Sequence, residues 1–166
     1  MNNTPSLPTP RSLVLVPAAI TLAVTLLRLA LELGGGPKWL ANAGLGGTGA
    51  VIGIVWLPLI FGPWFAFRLR PHVASTKALV KPLCKTLLLY GLLARLPVFL
   101  LTIPAVLGNW GTHYDQFGFE GGIAAKLAAG FGAQMIFWAC VWTPLSGLLA
   151  GLAATALCRC ERAATA

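Results

Sequence analysis

Charge is what this sequence has least of. Only 10% of its 166 residues are Asp, Glu, Lys or Arg, against about 25% in soluble domains, so water is not the chain's main solvent. Acids and histidines are scarcer still, with four Asp or Glu and two His against twelve Lys or Arg. No nucleophile stands beside a base, which ranks an enzyme last among the function classes. The four cysteines (Cys84, Cys140, Cys158 and Cys160) all fall outside the expected external loops, so no structural disulfide is expected. Cys158-Arg159-Cys160 supplies two thiolates with no nearby histidine, half of a metal site, and no metal or other cofactor is expected. The one glycine-rich loop, Gly44-x-Gly46-Gly47-x-Gly49, lacks the preceding strand that a dinucleotide fingerprint requires.

What is present is apolar length. Hydrophobic residues make up 57% of the chain and the mean hydropathy is +0.81. Four runs, roughly 12–33, 47–67, 86–107 and 132–156, each reach the ~20 residues needed to cross about 30 Å of hydrocarbon. Together they leave room for short loops only, so residues 1–166 read as one domain without a soluble module. The opening segment resembles a signal sequence but has no clear small-x-small cleavage site, and an uncleaved first helix is expected.

The cations assign a direction. Arg11 precedes the first run, Arg68, Arg70, Lys77, Lys81 and Lys85 lie between the second and third, and Arg159 and Arg162 follow the fourth. The opposite side carries Lys38 and Lys126. Cytoplasmic loops retain Lys and Arg, so the expected fold is an all-α integral membrane protein of four transmembrane helices with both termini cytoplasmic. Composition and topology resemble those of small bacterial inner-membrane proteins, which makes the bacterial plasma membrane the expected location. The net charge of +8 is explained by topology, and no nucleic-acid partner is expected. Lys77, Lys81 and Lys85 recur every four residues along one helix edge, as in an interfacial helix that grips anionic phospholipid on the cytoplasmic face.

Ionisable groups inside the runs carry the functional expectations, because each costs at least about 2.5 to 3.5 kcal/mol at the centre of a span. Thr21, Thr25, Arg28 and Glu32 are spaced by four, three and four, which puts them on one helical face pointing into the bundle. Arg95 sits near the middle of the third run, and Glu32 is the expected partner for a bridge between helices one and three. Two cations against one carboxylate leave a net positive patch suited to an anion or a polar headgroup. Pro97 and Pro104 are expected to kink the third helix and free backbone carbonyls beside it.

Two phrases match between the halves: Trp56-Leu57-Pro58-Leu59 and Trp142-Thr143-Pro144-Leu145, with Gly62 and Gly147 following, and Arg28-Leu29 and Arg95-Leu96. They suggest a parallel 2+2 repeat of helical hairpins about an axis along the membrane normal. In that arrangement Trp56, Trp142 and the carbonyls of Ile54 and Cys140 face a shared cavity with the arginines. Small-residue spacings, Gly49-x-x-x-Gly53 and Gly147-x-x-x-Gly151, mark close helix contacts. The external loop around His113, Asp115 and Glu120 is the remaining polar stretch.

Three functions follow in order. The first is a non-enzymatic subunit or scaffold of a membrane assembly, docking a membrane-protein partner. The second is a small carrier or channel for an anionic or lipid-like solute lined by Arg28, Glu32 and Arg95, expected as a homodimer because one protomer encloses little volume. The third, an enzyme at the external loop, ranks last.

Overall fold

A computed structural model describes residues 7–36, 53–115 and 121–164, with side chains through Cys158. Among the described residues the structure is helical and contains no strand. Lys38, Trp39, the loop from Gly44 to Gly49 and Glu120 lie outside the described residues, as do the side chains of Arg159, Cys160 and Arg162.

Helix α1 spans Pro10–Leu33. It starts at a proline in its first turn, where the missing N–H costs nothing, and ends where Gly34 N–H bonds to the Ala30 carbonyl and Gly35 takes a φ of +68°. Its buried residues are Leu13, Val14, Pro17, Thr21, Thr25 and Arg28, while Leu15, Val16, Ile20, Leu26 and Leu27 are exposed. Leucines outside and hydroxyls with an arginine inside is the reverse of a soluble amphipathic helix, and it suits a helix whose outer solvent is hydrocarbon.

Helix α2 covers Leu57–Leu69, and a single 3₁₀ turn, Arg70–His72, follows it. At 13 residues it is about 20 Å long, short of a bilayer core, and residues 53–56 are bent rather than helical. The expected second span over 47–67 is therefore not helical from 53 to 56. Pro58 falls in the first turn of α2, where a proline is accommodated. For the same reason Pro58 removes no helical hydrogen bond, and the carbonyl expected to be freed at Ile54 is not explained by it.

Helix α3, Thr76–Gly108, is 33 residues long and runs through Pro82, Pro97 and Pro104. Ser75 caps it, its hydroxyl accepting from Ala78 N–H at 3.1 Å. Lys77, Lys81 and Lys85 lie on an exposed edge of this same helix, opposite buried Leu79, Leu83 and Leu87, and not on a separate interfacial helix. The last stretch joins α4 (Ile123–Phe131), a π-helical segment (Gly132–Trp142) and α5 (Thr143–Ala164) end to end. Its i−5 bonds include Thr143 Oγ1 to the Trp138 carbonyl at 2.8 Å and Cys140 Sγ to the Met135 carbonyl at 3.1 Å. Among the described residues three helices are long and apolar enough to cross a membrane: Pro10–Leu33, Thr76–Gly108 and Ile123–Cys158.

Packing divides the bundle lengthwise. At the end bearing the start of α1 and α3 and the end of α2, the core is apolar: Leu13, Val14, Phe65, Leu69, Leu79, Leu83 and Leu87. Tyr90 closes it, with Phe61 and Phe65 edge-on at 5.5 and 5.7 Å. Toward the other end the interior becomes polar. Helices α2 and α5 meet backbone to backbone, since a Cβ on Gly62 would overlap the Gly147 carbonyl and one on Gly151 would stand 2.8 Å from the Gly62 carbonyl.

Gly62→Ala is expected to cost about 1–3 kcal/mol by forcing these two helices apart. Gly132→Ala, which meets nothing within 4 Å, is expected to be neutral or slightly stabilising. Thermal unfolding of both variants in a mild detergent checks the difference, and equal melting temperatures would contradict the packing described.

Candidate functional site

Register determines which polar groups meet. Helices α1 and α3 run the same way, both ending at the 109–115 loop, and the Thr21 and Tyr90 hydroxyls lie 2.8 Å apart. Thr21 spends its proton on the Pro17 carbonyl at 2.8 Å, so Tyr90 donates. From that level Arg28 lies about 10 Å further along α1, Arg95 about 8 Å along α3 and Glu32 about 16 Å along α1. The two arginines are therefore nearly level, and Glu32 stands above both.

This geometry corrects the expected Glu32–Arg95 bridge. Glu32 instead accepts from Arg28 Nε at 2.9 Å and from His113, whose backbone N–H lies at 3.1 Å and whose Nδ1 lies 2.8 Å from Oε2. With a carboxylate as acceptor, Nδ1 carries the imidazole proton. The loop is built for this contact. Asn109 ends α3 in the left-handed region at φ 47°, a conformation asparagine tolerates, and Gly111 follows at φ 70°. Asp115 then ties the turn, accepting from Gly111 N–H, Thr112 N–H and the Thr112 hydroxyl at 2.7 to 3.0 Å. A His113–Asp115 acid/base pair is thus not formed, because the aspartate is spent on the turn and the histidine on Glu32. Tyr114 is buried beside it and donates to the Thr25 carbonyl at 3.4 Å. Burial, with the Glu32 charge, pushes its hydroxyl up to about 12 against the opposing pull of Arg28, so it stays protonated.

Arg95 is 6% exposed and about 20 Å below the end of α3. Its Nη1 donates to Gln134 Oε1 at 3.4 Å, and the guanidinium lies 4.9 Å from the Trp138 ring centroid, within cation–π range. Nη2 is buried with no hydrogen-bond partner among the described residues. Both partners arrive on the π-helical segment, which approaches α3 closely because Gly91 has no side chain: a Cβ there would overlap the Ala139 carbonyl. Gln134 and Trp138 were not anticipated from the sequence. Gln134 is the one carboxamide inside a described helix, and a lone amide in a span is the signal that points to it.

Arg28, Arg95, His113, Tyr114, Gln134 and Trp138 line one cavity of about 300 Å³. Gly53, Ile54 and Val55 also border it, so the non-helical stretch before α2 runs beside a cavity. The expected tryptophans fall elsewhere. Trp56 stands exposed at the start of α2, and Trp142 donates its indole N–H to the Val55 carbonyl at 3.2 Å while its ring lines a second, apolar groove. The pair it makes is with Trp138, at 5.9 Å between ring centroids. Chemically the cavity offers a buried cation whose Nη2 has no partner among the described residues, and a second arginine already answered by Glu32.

No family model, curated protein or solved structure matches this chain.

Burial lowers the His113 pKa below its ordinary value of 6.5, opposed by its bond to Glu32. A histidine whose native value is depressed contributes stability above pH ~6.5 that is lost as pH falls toward the native value. Stability of the wild type is therefore expected to be flat above that pH and to decline below it, and His113→Asn is expected to flatten the decline. Melting temperatures across pH 5 to 8 check this, and an undiminished slope in the variant would contradict it.

Proposed function

We propose that this protein is a small membrane carrier or binding protein that holds an anionic or lipid-like solute inside its helix bundle. The observation that supports it is Arg95: a guanidinium deep in an apolar protein, bordering a cavity, with a buried Nη2 donor and, among the described residues, no carboxylate against it. A purely structural arginine would be expected to take Glu32, and Glu32 is committed to Arg28 and His113.

In this reading the chain crosses a bacterial inner membrane four times with both ends cytoplasmic. Arg11, Arg68, Arg70 and Lys77 gather at the apolar end of the bundle, in keeping with a cytoplasmic face. The second crossing combines the 53–56 stretch with α2, and its irregular backbone borders the cavity as discontinuous helices do at carrier sites. A parallel two-hairpin repeat accords with two pairings: Gly62 meets Gly147, and Arg28 shares the cavity with Arg95. The cavity of about 300 Å³ is lined by residues of this chain, and the homodimer expected for a carrier stays part of this proposal. The exposed lysine edge of α3 suits anionic phospholipid headgroups. The scaffold reading loses one of its supports here, because Gly147 and Gly151 are used against α2 within the chain.

Trp138 lies against Arg95 and reports on it. Titrating the protein in nonionic detergent with diethyl phosphate is expected to give a saturable change in tryptophan fluorescence. Arg95→Met is expected to weaken that binding roughly 10- to 100-fold, the worth of a charged hydrogen bond, without loss of helicity. The same response in wild type and variant would refute the reading.

A further inference from the structure

Beside the arginine cavity lies a groove of about 430 Å³ lined by Leu59, Trp142, Leu145, Leu149, Ala150 and Ala153. It is apolar throughout, since the one hydroxyl on its wall, Ser146 Oγ, donates to the Trp142 carbonyl at 2.6 Å. The two spaces have no lining residue in common, but residues on their walls are neighbours. Trp138 borders the cavity and Trp142 the groove, with their rings 5.9 Å apart. Val55 borders the cavity and Leu59, four residues on, borders the groove. The indole bond to the Val55 carbonyl holds Trp142 at this boundary.

Charge limits the occupant of the cavity. Arg28 is answered by Glu32 at 2.9 Å, and His113 is held as a donor to the same carboxylate. Arg95 is left as one positive charge whose Nη2 has no partner among the described residues, which calls for a single negative charge with an acceptor oxygen. The groove, exposed along Leu145 and Leu149 and running down α5 from Trp142, calls for a flexible apolar chain.

Resting on the reading above, we infer that cavity and groove together take one amphiphile. A monoanionic phosphodiester or carboxylate head sits against Arg95 and one acyl chain lies along the groove past Trp142. The ligand is then a lipid entering from the bilayer and not a free anion entering from water. The Trp138–Trp142 pair stands at the junction of head and chain, where one face is polar and the other apolar, a position suited to indoles.

The experiment compares three probes on the intact protein in nonionic detergent, using native mass spectrometry for stoichiometry and Trp138 fluorescence for affinity. Phosphatidylglycerol is expected to bind one per chain and at least tenfold tighter than diethyl phosphate, which has the head without the chain, and diacylglycerol, which lacks the charge, is expected not to bind. Ala150→Phe and Ala153→Phe, which fill the groove, are expected to reduce phosphatidylglycerol to the affinity of diethyl phosphate while leaving the latter unchanged. Ala153 is exposed, so its variant tests the groove with the fold intact. If the filled groove leaves phosphatidylglycerol affinity intact, or instead splits a dimer, the groove is not an acyl site and this inference falls while the anion site stands. If no probe responds to Arg95→Met, the anion site falls as well.

Discussion

A guanidinium buried deep among apolar helices has to be solvated by the protein around it, and much of what is irregular in this chain lies around Arg95. The π-helical segment brings Gln134 and Trp138 to it. Gly91 removes the side chain that would keep that segment away. The bent stretch before α2 runs along the same cavity, with its Val55 carbonyl satisfied by the Trp142 indole. A π segment and a broken helix entry each give up regular hydrogen bonding, and both are commonly found near functional sites.

The rest of the bundle is conventional by comparison, and the contrast is informative. At the basic end, leucines and phenylalanines pack in a closed core, and α2 and α5 meet at glycines with no space between them. Rigidity is concentrated there. At the other end a smaller apolar cluster of Val98, Ala105 and Tyr114 is joined by polar contacts: Thr21 and Thr25 bond back to carbonyls four residues earlier, and Glu32 joins α1 to the 109–115 loop through His113.

Much of this was legible in the amino-acid sequence, for reasons that can be named. The interior stripe of α1 followed from spacings of four, three and four, because a helix makes such residues neighbours whatever surrounds it. Gly147-x-x-x-Gly151 marked a close contact because only small residues let backbones approach. The extent of α2 was misjudged because hydropathy does not register that Pro58 starts a helix instead of continuing one. The Glu32–Arg95 bridge failed on register: the carboxylate and the arginine are on neighbouring helices but at different heights, and height depends on the Thr21–Tyr90 contact, which no local pattern encodes. His113 as the partner of Glu32, and Gln134 and Trp138 as partners of Arg95, required knowing which loop folds over α1 and that the fourth run contains a π segment.

Arg95 Nη2 has no hydrogen-bond partner among the described residues, and the proposal made above is that an anion answers it. The most direct test is a high-resolution structure of the protein extracted with its native lipid. The account predicts density for an acidic group within hydrogen-bond distance of Arg95 Nη2, continuous with density along the Trp142 groove. Arg95 swung onto Glu32, with Arg28 and His113 released and no density in the cavity, would contradict it.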